Sequence, residues 1–151
     1  MMTRKQIIDE IKNYFKIQEL VCNHAYDKFG EKAWQFLDTD YLHALLILRR
    51  DVIGLPMECN NAKKKVFQRG LRCNRCDMVR SQKGVYLSAH CLGKAGDFTI
   101  IGMDAETARQ RIKAHADDFP CKVRIEAGVS WLHFDVMDMG EDYPKVYEFH
   151  A

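Results

Sequence analysis

Apolar residues recur at helical spacing near the start of the chain. Ile7, Ile8, Ile11 and Phe15 fall on one side of a helix over 4–15, with Thr3 in the N-cap position. Residues 15–22 then alternate briefly and read as a short strand, while 25–37 is helix-like with Trp34 and Phe36 as large apolar anchors. Asp38, Thr39 and Asp40 supply capping side chains ahead of 41–52, where Leu42, Leu45, Leu46, Ile47 and Leu48 leave few polar positions. That segment predicts a buried central helix, ended by Gly54 and Pro56, and a short extended piece follows over 56–59. Asp104 caps a further helix over 105–118, with Ala105, Ala108, Ile112 and Phe119 along one side.

The period changes from helical to two beyond residue 120. Residues 121–126 and 131–137 both alternate strictly, and Ala127-Gly128-Val129-Ser130 between them reads as a hairpin turn. A loop of two or four residues places Glu126 opposite Trp131, Arg124 opposite His133 and Lys122 opposite Asp135 on a polar face. Ile125 with Leu132, Val123 with Phe134 and Cys121 with Val136 then form the apolar face, which a slip of one residue would expose to water. The tail from Tyr143 to Phe149 reads as an added edge strand.

At 151 residues the chain predicts one domain spanning 1–151, and 47% apolar with 29% charged residues argues against disorder and fibrous repeats. A formal net charge of +2 names no partner. The basic stretch Lys63 to Arg69 is short and isolated, so a solvated loop is favoured over a phosphate-binding patch and no nucleic-acid partner is expected. No apolar run approaches the ~20 residues of a membrane span. The opening residues lack an apolar core and a cleavage site, which predicts cytoplasmic synthesis without a signal peptide. Six cysteines in that setting predict mostly free thiols. Cys73-x-x-Cys76 is either a redox pair or half of a zinc knuckle, but no second Cys-x-x-Cys follows it.

Chemistry concentrates in residues 86–100, where His90 and Asp97 are separated by a loop relaxed by Gly93 and Gly96. His133 on the later strand could close a set of two imidazoles and one carboxylate, which is what a catalytic zinc takes while keeping a coordination position free, but taken alone a surface histidine with a helix- or strand-flanking aspartate is the favoured reading. Ser88, His90, Gly93, Ala95 and Asp97 match the pattern S-x-H-x-x-G-x-A-x-D. The stretch therefore resembles the zinc D-alanyl-D-alanine carboxypeptidase family, which includes vancomycin-resistance D,D-dipeptidases and phage endolysins and is related to the Hedgehog signalling domain. His133-Phe134-Asp135 looks like the family's later H-x-D element, and Gly70-Leu71-Arg72-Cys73-Asn74 is similar to its S-G-Y-R-C-P segment, so the likeness covers about 55–137. The chain departs from the family at Leu71, where an aromatic is usual, and at Ser130, where the family commonly carries its catalytic Glu.

The resemblance implies an α+β fold, Hedgehog-like, with an antiparallel sheet carrying a zinc site on one face and helices packed on the other. It implies Zn2+ held by His90, Asp97 and His133, and peptidoglycan stem peptides as substrate, cut by a carboxypeptidase or an endolysin-type endopeptidase acting in the cell wall after release. Arg72 stands where the family's arginine contacts substrate, and Arg124 is a further candidate for a peptide carboxylate or oxyanion. Ser88 is equally a substrate contact or a turn-forming hydroxyl, while Gly93 and Ala95 are expected to make room for backbone near the metal. Asp135 either orients an imidazole or is a plain surface carboxylate. Glu126, on the polar face diagonal to His133, is the candidate general base. His24, His43, His115 and His150 have no motif context. The competing expectation is a zinc-bearing binding domain without catalysis.

Overall fold

The computed structural model describes all residues from Met1 to Ala151 as an α+β arrangement of six α-helices and a five-stranded mixed sheet. Helix α1 (Arg4–Ile11) begins in a capping box, in which Gln6 N–H donates to the Thr3 hydroxyl at 3.2 Å and Thr3 N–H to Gln6 Oε1 at 2.8 Å. Its Ile7 and Ile11 are buried. Helices α2 (Ile17–Leu20) and α3 (Asn23–Phe29) follow, and the chain continues as a 3-10 helix over Gly30–Phe36. The strand expected over 15–22 is thus a helical turn, because Ile17 and Leu20 are buried together at a spacing of three.

Helix α4 (Thr39–Ile47) is capped by Asp38, whose Oδ1 accepts from Tyr41 N–H at 2.9 Å. Tyr41, Leu42, Ala44, Leu45 and Leu46 are all buried, as a helix with almost no polar side must be. It runs on as a π-helical turn over Leu48–Ile53, which ends at Gly54 with φ +69°. Strand β1 (Met57–Glu58), the short α5 (Asp77–Arg80) and β2 (Ala95–Ile100) lead to α6 (Ala105–Ala114), whose cap Asp104 accepts from Thr107 N–H at 2.7 Å.

Strands β3 (Val123–Glu126), β4 (Leu132–Asp135) and β5 (Val146–Phe149) complete a sheet of order β1-β2-β4-β3-β5. Every neighbouring pair is antiparallel except β3 with β5, which is parallel, so the tail is an edge strand and the sheet is mixed. β3 and β4 pair with Arg124 opposite Asp135 and Ile125 opposite Phe134, two positions from the register that a short turn predicts. The cause lies on α6. Arg109, only 4% exposed, directs Nη1 at the carbonyls of Glu126, Val129 and Trp131 at 3.2 to 3.3 Å, and residues 127–131 wrap around that guanidinium. A shift of two keeps the parity of the strand, so the apolar and polar faces fall where alternation puts them.

Phe98, Ile125, Leu132 and Phe134 point from one face into the core, where Phe98 meets Phe15 and Phe134 meets Phe119. The opposite face carries Ala95, Asp97, Arg124, Glu126, His133 and Asp135.

Candidate metal centre

His90, Asp97 and His133 converge although they come from three places in the chain. β2 and β4 pair Asp97 directly with His133, and the tight turn over residues 89–93 brings His90 back to the same point. Gly93 permits that turn with φ +69°; a Cβ there would lie 2.0 Å from the Phe36 carbonyl oxygen. Its role is thus to let the turn seat on the end of the 3-10 helix, rather than to clear backbone from the metal. The contact is secured by Asp38 N–H donating to Gly93 O at 3.0 Å. The Ser88 hydroxyl accepts from Cys91 N–H at 3.3 Å and donates to Cys91 Sγ at 3.4 Å, so it is engaged in the turn itself.

Each imidazole is oriented by the nitrogen that faces away from the cluster. His90 Nδ1 donates to Gly70 O at 2.9 Å, which leaves Nε2 directed at Asp97 Oδ2, 3.4 Å away. His133 is reversed: Nδ1 lies 2.8 Å from Asp97 Oδ1, and Nε2 lies 2.6 Å from Asp135 Oδ2. The ring-to-ring separation of the two histidines is 5.2 Å, and their donor atoms and the Asp97 carboxylate lie within 4.8 Å of one another. Asp135 is in turn gripped by Arg124 through two bonds of 2.8 Å, and the guanidinium stacks 4.5 Å over the Phe149 ring, whose edge also meets His133. This carboxylate–imidazole support is what metal-ligating histidines ordinarily receive from their surroundings.

Electrostatics follow from the same contacts. Burial disfavours a charged Asp97, but the hydrogen bonds from His133 and His90 outweigh it and hold the carboxyl well below its usual range. Burial likewise opposes a charged His133, and Asp135 and Asp97 more than offset that, raising the ring to about 9. Burial also disfavours a charged Asp135, and the bonds from His133 and Arg124 override it and lower the carboxyl.

Two imidazoles whose outer nitrogens are already tied, together with one carboxylate, could hold a metal ion, and zinc accepts such a donor set with one position left over. Arg72 lies beside this set, with Nη2 3.5 Å from Asp97 Oδ2 and Nε donating to Gln68 O at 2.7 Å. Arg124 spends Nε and Nη2 on Asp135 and turns Nη1 to the Met139 sulfur at 3.7 Å. Glu126 is half-buried, and the register of β3 on β4, carried one position further, sets it beside His133. The row Asp97, His133, Glu126, Phe149 therefore crosses four strands on one face. The basic stretch starts in a 3-10 turn over Ala62–Lys64 and continues as a loop, with Lys64 paired to Glu58 at 2.9 Å and Arg69 donating to Thr99 at 3.0 Å.

His24, which has no motif context in the sequence, stands in a second cluster with Cys22, Cys73 and Cys76. The sequence trace of it is Cys22-x-His24 placed far ahead of Cys73-x-x-Cys76, a separation that hides the pairing. All six cysteines are free thiols. No helix is long and apolar enough to cross a membrane. No protein-family model, curated protein or solved structure matches this chain.

Proposed function

We propose that the chain is a zinc-dependent peptidase of the D-alanyl-D-alanine carboxypeptidase type, with a Hedgehog-like fold, acting on peptidoglycan stem peptides. The observation that carries this reading is the convergence of His90 Nε2, Asp97 and His133 Nδ1, with the outer nitrogens held by Gly70 O and Asp135. The S-x-H-x-x-G-x-A-x-D resemblance supplies the substrate class, and the cell wall reached after release is the place of action that goes with it. When bound, zinc supplies Lewis acidity, polarising a carbonyl oxygen and bringing the pKa of water to about 7.

The chain's own residues supply the rest. Glu126 takes the proton of the attacking water and returns it to the leaving amine, since it sits on the site face next to His133 with no salt-bridge partner. Arg72, buried against Asp97, offers its guanidinium to the peptide carboxylate or the developing oxyanion. Arg124 acts on the reaction only through Asp135, by fixing the acceptor that orients His133.

One observation favours the non-catalytic reading of the same site. His90, Asp97 and His133 are only 5%, 8% and 7% exposed, and they line neither the hollow beside Cys22 and Asn60 nor the one beside Arg72 and Cys91. A zinc-loaded preparation incubated with defined muropeptides, read by mass spectrometry, separates the two. Release of a terminal D-alanine or an internal cut, lost in His90→Ala/His133→Ala, is the expected result; intact muropeptides with the metal bound at these residues would establish the binding domain instead.

A further inference from the structure

A second set of metal-ligating side chains lies outside the site described above, and it does not depend on the peptidase reading. Its geometry begins in the backbone. Val21 forms a parallel bridge with Leu71, with Leu71 N–H donating to Leu20 O at 2.9 Å and Cys22 N–H to Leu71 O at 3.0 Å. That pairing holds the start of α3, with Cys22 and His24, against the segment that carries Cys73 and Cys76. Residues 73–76 form a tight turn, closed by Cys76 N–H to Cys73 O at 3.1 Å, and α5 leaves directly from it. Arg75 N–H donates to Cys73 Sγ at 3.3 Å, so a backbone dipole already points at that sulfur.

The separations match a tetrahedron. Zn–S bonds of about 2.3 Å and Zn–N bonds of about 2.0–2.1 Å imply edges of about 3.8 Å between sulfurs and about 3.5–3.6 Å from sulfur to nitrogen. His24 Nδ1 lies 3.6 Å from Cys73 Sγ and 3.7 Å from Cys76 Sγ. The four ligand atoms, Cys22 Sγ included, lie within 4.8 Å of one another. Thiols packed for their own sake need no imidazole nitrogen at the same point, and a disulfide needs two sulfurs rather than three and a nitrogen.

We propose that Cys22, His24, Cys73 and Cys76 bind a structural zinc ion. With all four positions taken by protein the site is closed to substrate, and its work is to clamp the α2–α3 arm to the segment 70–76. That segment also carries Gly70, which orients His90, and Arg72, which lies against Asp97. The two metal positions therefore share one stretch of backbone.

Metal content and cobalt spectroscopy of the full chain test this. The expected result is two metals per chain, and an intense sulfur-to-cobalt charge-transfer band when cobalt replaces zinc. His90→Ala/His133→Ala should lose one metal and keep the band, whereas Cys73→Ser/Cys76→Ser should lose the other metal together with the band. His24→Ala should weaken retention and His24→Cys should restore it with a stronger sulfur band. If the double cysteine variant does not fold, the wild-type spectrum decides alone: a folded, cobalt-loaded chain without the thiolate band overturns the proposal. A band that disappears in His90→Ala/His133→Ala while that variant stays folded overturns it too. Loss of the His90 and His133 equivalent from wild type, with the band intact, would count against the peptidase site alone.

Discussion

Both oxygens of Asp135 are fully occupied: Oδ1 accepts from Arg124 Nε and Met137 N–H, and Oδ2 from Arg124 Nη2 and His133 Nε2. A carboxylate held in four directions orients a neighbour well and relays protons poorly. Glu126 lies on the same face without such ties. Glu126→Gln should therefore keep zinc and fold but lose at least ~100-fold in turnover, whereas Asp135→Asn should weaken zinc affinity by about 10–100-fold. Turnover kinetics beside elemental analysis of both variants check this. Zinc-loaded Asp135→Asn without activity, next to an active Glu126→Gln, would reverse the assignment. In the metal-free chain His133 is held protonated up to about 9, and it must release that proton to bind metal, so apparent metal affinity should climb as pH rises toward 9 and weaken steadily below it. Equilibrium dialysis over a pH series reads that directly.

At the scale of elements, the decisive contact is between α6 and the β3–β4 connection. Arg109→Met keeps the aliphatic stem but removes the donor from the carbonyls of Glu126, Val129 and Trp131, and should cost about 2–4 kcal/mol in urea unfolding, with faster hydrogen exchange in residues 127–131. A loss below ~0.5 kcal/mol would place the origin of the register elsewhere. Gly93→Ala should cost a similar ~2–4 kcal/mol, since it adds strain at φ +69° to a collision with Phe36 O. Both cases show what the sequence made legible. Alternation over 121–137 identified the faces of β3 and β4, and the caps Thr3, Asp38 and Asp104 marked three helix starts, because these depend on neighbours in the chain. The register depends on Arg109 from another element, and β2 is buried at every position but Thr99, with the polar Asp97 inside the buried run, so neither shows a local period. The helical turn at Ile17–Leu20 was concealed by Phe15 and Ile17 just before it, whose spacing of two imitates a strand. The triad at His90, Asp97 and His133 was legible through its motif; the Cys22 and His24 pairing with Cys73 and Cys76 was not, since it requires the bridge between Val21 and Leu71.

For the molecule as a whole, metal should act as a ligand of the native state. Free zinc at about 100 times its dissociation constant adds about 2.7 kcal/mol, and in a chain of this size each kcal/mol moves the unfolding midpoint by about 2–4 °C. A chelator should therefore lower the midpoint by about 5–10 °C, and calorimetry with and without zinc measures it. An unchanged midpoint would mean that neither cluster holds metal in the folded chain. The sheet order also sets a timetable. β2 finds its inner neighbour only in β4, and the ring of Phe149 reaches His133 from β5, the last strand made. A nascent chain on the ribosome thus presents His90 and Asp97 long before His133 exists, and Phe149 arrives later still. Whatever this centre does, it cannot begin to do it during translation until residues beyond 133 have emerged.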